Sequence, residues 1–448
     1  MFGVFLFWAV AIRRTTPSPA NENIEPPKRD DATATVASGV PPNTAAISPA
    51  TDPKSTISTP SVLASKLAIF ADSLPAGACL VVYEGNARSI AQKPDTALIP
   101  ASTLKLFTAV AAINVLGFDH HFITRAVASK PAVAGRLVGD LVLVGDGDPV
   151  LSTSQYQANQ RHQPALSTSL EVLADRIRQS GITTVTGSVV GDERKFAADR
   201  FLPSWGYPYD YTTRTGPLSA LELDDGWATA NDVQIDPAKY AASILQNMLV
   251  ARGIAFGADA RSGATADQQS LIAKVDSPSV GDIVEEMLRN SDNMTAELLA
   301  KNIDAARHGP GTITSAATAV RTALVEAGFS FRALRMNDAS GTDPGNQSSC
   351  EDLIRIVNTI HIKTRLSENG FAIAGRTGTL SARYNNTPAQ DRVHAKTGSI
   401  TGVASMTGYV DPKSGTTNPS ITFAIIINNV IANKKYAYED DLIDLPTL

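Results

Sequence analysis

The stretch Pro100-Ala101-Ser102-Thr103-Leu104-Lys105-Leu106-Phe107-Thr108 places a serine and a lysine three residues apart. Apolar residues follow at helical spacing as far as Gly117, which predicts a helix with Ser102 in its first turn and Lys105 one turn later. Residues three apart lie on one face of a helix, so the hydroxyl and the amine can meet. An amine within hydrogen-bond reach can take the hydroxyl proton and make the serine nucleophilic. An ordinary amphipathic helix with a polar first turn explains the stretch equally well.

A second group of polar residues joins two predicted helices. Residues 280–288 and 295–306 both carry apolar residues at helical spacing. The connection between them contains Ser291-Asp292-Asn293, which presents a hydroxyl and an amide on a short link. Asp292 has the chemistry of a helix cap, so we expect it to be structural rather than catalytic.

A third group, Lys396-Thr397-Gly398-Ser399, begins a predicted strand. An ammonium followed by hydroxyls on a strand edge suits a carboxylate, because charge and hydrogen bonds together fix its orientation. Gly398 is expected to let a substrate backbone come close. Similar triplets occur at Arg214-Thr215-Gly216 and Arg376-Thr377-Gly378, but neither is followed by a comparable strand.

Composition narrows the class of protein. The 448 residues, 43% hydrophobic and 19% charged, are enough for two or more globular units. The net charge of −5 argues against a nucleic-acid partner. Cys79 and Cys350 lack metal-binding spacing, and the pattern leads us to expect neither metal nor cofactor. The two cysteines could pair in an oxidising compartment, but two separate buried thiols explain them at least as well.

The first sixty residues differ from the rest of the chain. Residues 2–12 are apolar and are followed by Arg13-Arg14, which is typical of an export signal or a short N-terminal anchor, although no basic residue precedes the run. The segment up to residue 60 is rich in Pro, Thr, Ser and Ala and predicts a disordered linker. We therefore expect an exported, extracytoplasmic protein, with cleavage and membrane tethering both left open.

The remainder predicts strands and helices in alternation. Residues 61–125 contain a hairpin that leads into the Ser102 helix, and 275–448 contain helices followed by strands. Between them, 126–274 has its own βαβ-like pattern around a helix at 167–180, an aromatic loop at 201–216 and a further helix at 238–252, which predicts an inserted lobe. The strands that we predict are 78–83, 87–91, 137–144, 183–190, 394–399, 403–410 and 421–428. A closing helix is predicted at 436–445.

Ser102-x-x-Lys105, Ser291-Asp292-Asn293 and Lys396-Thr397-Gly398 occur in the order found in penicillin-recognising serine enzymes. With Gly145-Asp146-Gly147-Asp148-Pro149 and Pro217-Leu218-Ser219-Ala220-Leu221, the chain resembles the low-molecular-mass class C penicillin-binding proteins, the D-alanyl-D-alanine carboxypeptidase/endopeptidase family. The resemblance covers residue 61 to the C-terminus. It implies an α/β (α+β) fold: a serine β-lactamase/transpeptidase-like domain with an antiparallel sheet flanked by helices and interrupted by the inserted lobe.

The resemblance also implies roles for the motif residues. Ser102 would attack a D-Ala-D-Ala amide, Lys105 would be its base, and Ser291 would relay a proton to the leaving amine. Asn293 would hold the substrate amide. Lys396, Thr397 and Ser399 would bind the terminal carboxylate, and Gly398 would belong to the same substrate-binding group. The backbone N–H groups of Ser102 and Ser399 would form the oxyanion hole. The partners implied are peptidoglycan peptides and β-lactams.

Two other functions compete with this one. A class A β-lactamase would need a deacylating glutamate, and no Glu-x-x-Leu-Asn lies between the first and second motifs. The long insert also argues against it. A catalytically silent peptidoglycan-binding protein is disfavoured because every catalytic position is filled. His394, close to Lys396, is expected to be a packing or surface residue.

Overall fold

The fold is that of a computed structural model, which describes residues 61–159, 166–205, 216–229, 232–264, 269–363, 366–414, 420–431 and 434–447. The apolar run 2–12 and the linker up to residue 60 lie outside these ranges, so the export signal or anchor remains a prediction. Most of the aromatic loop predicted at 201–216 also lies outside them. Within the described ranges, no helix combines the length and apolar character needed to cross a bilayer.

The strands are β1 (Ala78–Glu84), β2 (Ala87–Gln92), β3 (His121–Ala128), β4 (Arg136–Leu137), β5 (Leu141–Val144), β6 (Leu151–Ser152), β7 (Thr168–Ser169), β8 (Thr184–Val185), β9 (Val189–Asp192), β10 (Trp227–Thr229), β11 (Asp232–Val233), β12 (Ala255–Phe256), β13 (Arg261–Ser262), β14 (Ser270–Ser279), β15 (Ala372–Ile373), β16 (Val393–Ile400), β17 (Val403–Val410) and β18 (Ile421–Asn428). The helices are α1 (Val62–Ser73), α2 (Lys105–Leu116), α3 (Ser154–Ala158), α4 (Leu170–Gln179), α5 (Pro237–Ala251), α6 (Val280–Asn290), α7 (Asn293–Ala306), α8 (Ile313–Glu326), α9 (Cys350–Lys363), α10 (Leu366–Asn369) and α11 (Ala437–Thr447).

The main sheet is antiparallel, with strand order β15-β16-β17-β18-β1-β2. Alternate residues of its central strands point to opposite faces. On β1, Cys79 and Val81 pack into the core beneath α2 and α6–α10, whereas Leu80 and Val82 pack into the core beneath α1 and α11. Helices cover both faces, which explains why the central strands are apolar along most of their length and confirms the predicted sheet flanked by helices.

Residues between the two halves of the main sheet build a second core. Its five-stranded sheet has the order β13-β9-β5-β3-β14, and α4 and α5 pack on it. Strands β5 and β9 are parallel, with α4 between them in the chain, which confirms the predicted βαβ-like unit. The predicted boundaries 126 and 274 fall inside β3 and β14, which pair with each other. The division into domains itself remains a prediction.

Two strands in this region were predicted as continuous and are interrupted. The predicted strand 137–144 is divided into β4 and β5, which belong to different sheets, and 183–190 is likewise divided into β8 and β9. The breaks occur at Gly139, which has φ +98°, and at Gly187, where a Cβ would lie 2.1 Å from a carboxylate oxygen of Asp140. Glycine permits the turn and the close approach by which each segment passes from one sheet to the next.

Cys79 and Cys350 form a disulfide that joins β1 to the start of α9, with their Cα atoms 5.9 Å apart. Both residues are fully buried. The alternative of two separate thiols was therefore wrong. The bond connects the central sheet to the helical layer that carries the candidate active site.

Candidate active site

Ser102 lies in a 3-10 turn, Ala101–Leu104, that leads directly into α2. Gly117, with φ +94°, ends the helix as predicted. The carbonyl of Pro100 anchors the turn on the sheet by accepting hydrogen bonds from Ser405 Oγ (2.5 Å) and Thr103 Oγ1 (2.7 Å). Ala101 has φ +48°, a conformation that side chains rarely adopt and that surrounding contacts must maintain.

Glycines on two neighbouring segments leave room for this turn. A Cβ on Gly398 would lie 2.7 Å from Pro100 O, 3.0 Å from Ser102 N and 2.2 Å from Ser405 Oγ. A Cβ on Gly341 would lie 2.0 Å from Ala101 O. Gly398 was expected to make room for a substrate, but the structure gives it a different neighbour, because the space is taken by the backbone that carries Ser102.

Lys105 is fully buried, and its Nζ has three polar neighbours. It lies 3.0 Å from Ser102 Oγ, 2.6 Å from Asn293 Oδ1 and 2.7 Å from the carbonyl oxygen of Ser340. The two carbonyl-type oxygens can only accept hydrogen bonds, so they take two N–H groups of the amine. In a neutral lysine, the lone pair then faces Ser102, which is the arrangement needed to receive the serine proton.

The surroundings of Lys105 also favour loss of its proton. Burial lowers the pKa of Lys105 to about 8, although the negative charges of Asp338, Asp292 and Glu297 act to raise it. The effect of burial therefore outweighs that of the three carboxyl groups. A substantial fraction of the amine is neutral in mildly alkaline solution.

The second motif meets the third at the junction of α6 and α7. Ser291 ends α6 in the left-handed conformation, with φ +62°, which turns its hydroxyl toward β16. Its Oγ lies 2.8 Å from Lys396 Nζ, which also donates to the carbonyl of Thr397 (2.7 Å). Burial, and then the charge of Lys105, lower the pKa of Lys396 well below its usual value.

The side chains of Thr397 and Ser399, the other polar candidates of the third motif, are more exposed than that of Lys396. Thr397 Oγ1 is 2.9 Å from Thr379 Oγ1, and Ser399 is exposed on β16. The structure thus brings the Ser102–Lys105–Asn293 group and the Ser291–Lys396 group to one place, with β16 packed against the turn that carries Ser102. Contacts of Thr397 and Ser399 with a substrate stay a prediction.

Two residues set aside in the sequence have the structural roles expected of them. Asp292 caps α7, because its Oδ1 accepts the backbone N–H of Thr295 at 2.9 Å. His394 stacks on the ring of Tyr409, with the ring centroids 4.7 Å apart, and its Nε2 lies 3.1 Å from Asp411 Oδ2.

The sequence interpretation missed three contributors to the site. The Ser340 carbonyl holds Lys105, but backbone groups carry no residue signal. Thr379 directly follows the triplet Arg376-Thr377-Gly378, which was set aside, although the segment reaches both motifs: Gly378, with φ +58°, packs against the Arg289 carbonyl beside Ser291. Glu297 lies four residues after Asn293 and so on the same face of α7, a spacing that could have identified it.

Comparison with known proteins finds relatives among the carboxypeptidases. The chain is 27% identical over 425 residues to a D-alanyl-D-alanine carboxypeptidase of Actinomadura sp. (strain R39), covering 77% of this chain and 76% of that protein. It is 29% identical over 343 residues to carboxypeptidase DacB of Mycolicibacterium smegmatis, covering 74% of this chain and 71% of the relative.

Solved structures show the same fold. The crystal structure of penicillin binding protein 4 (dacB) from Haemophilus influenzae matches with a TM-score of 0.71 at 23% identity, covering 84% of this chain and 97% of that one. A predatory peptidoglycan endopeptidase from Bdellovibrio bacteriovorus matches with a TM-score of 0.51 at 16% identity, covering 82% and 90%. The model of the D-Ala-D-Ala carboxypeptidase 3 (S13) family matches residues 75–235 and 227–445, which together are most of the chain. The resemblance inferred from the three motifs is confirmed: this chain belongs to the D-Ala-D-Ala carboxypeptidase 3 (S13) family.

Proposed function

We propose that Ser102 is the nucleophile with which this serine-type D-alanyl-D-alanine carboxypeptidase opens the D-Ala–D-Ala amide of peptidoglycan stem peptides. One observation carries the assignment: Lys105 Nζ lies 3.0 Å from Ser102 Oγ while two acceptors occupy its other neighbouring positions. No other serine of the chain has a lysine three residues after it.

The first step forms a bond between Ser102 Oγ and the substrate carbonyl carbon. The hydroxyl proton passes to the lone pair of Lys105 Nζ, and the carbonyl oxygen becomes an oxyanion. The backbone N–H groups of Ser102 and Ser399 donate hydrogen bonds to that oxyanion. In comparable sites such donors lower the activation barrier by about 3 kcal/mol. The packing of Gly398 against Ser102 N supports this role, because it places the β16 backbone beside the start of the turn.

The second step breaks the carbon–nitrogen bond and releases D-alanine. The leaving amine must receive the proton that Lys105 took from Ser102, and Ser291, whose hydroxyl contacts Lys396 Nζ at 2.8 Å, relays it by giving its own hydroxyl proton to the amine and regaining one from Lys105. Asn293 accepts a hydrogen bond from Lys105 at its Oδ1, and its Nδ2 group donates to the carbonyl oxygen of a substrate amide. Water then attacks the acyl-enzyme and restores the Ser102 hydroxyl.

Lys396, Thr397 and Ser399 bind the terminal carboxylate. Lys396 is buried beside another lysine, so a bound anion supplies the negative charge that its surroundings lack. An incoming carboxylate therefore raises the pKa of Lys396 and forms charge-assisted hydrogen bonds. A substrate without this carboxylate gains none of that stabilisation.

We place the protein outside the cytoplasm. The disulfide between Cys79 and Cys350 forms and persists in oxidising compartments. The apolar run at residues 2–12 fits export, with the following linker as a tether if the run is retained in the membrane. Peptidoglycan, the substrate, lies in the same compartment.

Product analysis with the purified protein tests the proposal against its two competitors. We expect D-alanine to be released from an acyl-D-Ala-D-Ala peptide and a labelled penicillin to remain bound as a stable adduct. Rapid penicillin turnover without D-alanine release would identify a β-lactamase instead. Binding of peptidoglycan with neither D-alanine release nor an adduct would identify a silent binding protein.

A further inference from the structure

Glu297 on α7 is 1% exposed and contacts the loop that lies against Lys105. Its Oε1 accepts the backbone N–H groups of Ala339 (3.0 Å) and Ser340 (2.8 Å). The carbonyl groups of the same two residues point to α2: Ala339 O accepts from Thr108 Oγ1 (2.8 Å) and Ser340 O accepts from Lys105 Nζ (2.7 Å). One carboxyl oxygen therefore fixes the backbone of Ala339 and Ser340. The carbonyl groups of these two residues in turn accept hydrogen bonds from α2, the helix that follows Ser102.

A second buried carboxyl group, Asp338, completes this support. Its Oδ1 accepts from Gly341 N (2.8 Å) and Asn346 Nδ2 (2.7 Å). Its Oδ2 accepts from Asp343 N (2.6 Å) and Trp205 Nε1 (2.9 Å). These four donors favour the charged form of Asp338, and donors from Ala339 and Ser340 favour that of Glu297, but burial outweighs them and raises the pKa of both carboxyl groups. Burial and the neighbouring Asp338 raise the pKa of Glu297 to about 8.

We propose that Glu297 is a positioning residue for Lys105: it fixes the Ala339–Ser340 backbone against α2, and its change of charge adjusts the pH range in which Lys105 can act as a base. The inference rests on the function proposed above. It goes beyond that function because it gives a purpose to a buried ionisable group that does not touch Ser102.

The charged groups around Lys105 and Glu297 come from several elements. Lys105 on α2 faces the carboxyl groups of Asp338, Asp292 and Glu297 and the ammonium of Lys396 on β16. The carboxyl group of Glu297 faces that of Asp338, which lies on the adjoining loop. The negative charge of Glu297 also acts to raise the pKa of Lys301, which lies on the same helix. When Glu297 ionises, its negative charge favours the protonated form of Lys105. The two titrations therefore oppose each other, and Lys105 loses its proton over a broader and more alkaline range than it would alone.

The test is the pH dependence of acylation by a labelled penicillin, measured from pH 6 to 10. Glu297→Gln keeps the carbonyl oxygen that accepts both N–H groups but cannot ionise. We expect it to retain the plateau rate within about threefold, with the midpoint of the alkaline rise moved down by about 0.5 to 1 pH unit. Glu297→Met removes the acceptor, and we expect its rate to fall about 100-fold at every pH because Lys105 is displaced.

The matched control is Asp304→Asn on the same helix. Asp304 is also buried and accepts hydrogen bonds from Gly311 N and Ser315 Oγ, away from Ser102. We expect this variant to change stability without moving the midpoint. A Glu297→Gln profile that superimposes on that of the wild type overturns the inference, as does an equal shift in Asp304→Asn. A wild type that is not acylated at any pH instead overturns the proposed function, and the inference with it.

Discussion

The disulfide between Cys79 and Cys350 should provide a large part of the resistance of this protein to unfolding. The two cysteines are separated by 271 residues, so the bond closes a loop that includes the whole second core. In the chain-entropy model, closing a loop of this length lowers the entropy of the unfolded chain by the equivalent of about 5.6 kcal/mol at 25 °C. Measured contributions generally fall below such values, so we expect about 3 to 5 kcal/mol.

Guanidinium unfolding with and without a reductant measures this contribution. Reduction of the wild type isolates the cross-link, whereas Cys79→Ala also removes a fully buried sulfur atom and adds the cost of a cavity. We expect the reduced protein to unfold at a lower denaturant concentration, and Cys79→Ala and Cys350→Ala to become insensitive to reductant. The reasoning is refuted if reduction changes the free energy of unfolding by less than about 1 kcal/mol, or if two thiols titrate in the denatured, unreduced protein.

Three further predictions concern the site. Because burial lowers the pKa of Lys105 to about 8 and only the neutral amine can accept a proton, acylation by penicillin should rise by up to about tenfold per pH unit below pH 8 and level off above it; a flat profile would remove Lys105 as the base. Lys396→Ala should lower kcat/KM on an acyl-D-Ala-D-Ala peptide about 10-fold more than on the same peptide with an amidated C-terminus; both substrates lose the Ser291–Lys396 contact, so equal losses would argue against a carboxylate-binding role. Thr379→Val should lower kcat/KM about fivefold because Thr397 loses its hydroxyl partner, and Thr379→Ser should restore activity; thermal melting of both variants shows whether the fold is intact.

The elements that carry the site could be predicted because their local patterns agree with their tertiary environment. Apolar spacing identified α2, α6 and α7, and the central strands were visible because helices cover both faces of the sheet. The strand 137–144 was predicted as continuous because its residues suit a strand on either side of Gly139. Its division depends on which sheet each half joins, and hydrophobicity does not encode that choice.

Other features depend on contacts between distant residues. Gly398 is required by the Pro100 carbonyl and Ser102 amide that pack against it, almost three hundred residues earlier in the chain. The cysteine pair gave no spacing signal because its two members meet only when α9 packs on β1. Glu297 was missed in the sequence because its role passes through the backbone of Ala339 and Ser340.

Mapping of the penicillin adduct tests most directly whether Ser102 is the nucleophile. Wild type, Ser102→Ala and the surface control Ser65→Ala would be incubated with penicillin, digested and analysed by mass spectrometry; Ser65 is exposed on α1 and belongs to none of the three motifs. We expect one adduct per chain, on the peptide that contains Ser102, in the wild type and in Ser65→Ala, and none in Ser102→Ala. An adduct on another residue, or one that persists in Ser102→Ala, would contradict the assignment of Ser102 and Lys105 as nucleophile and base.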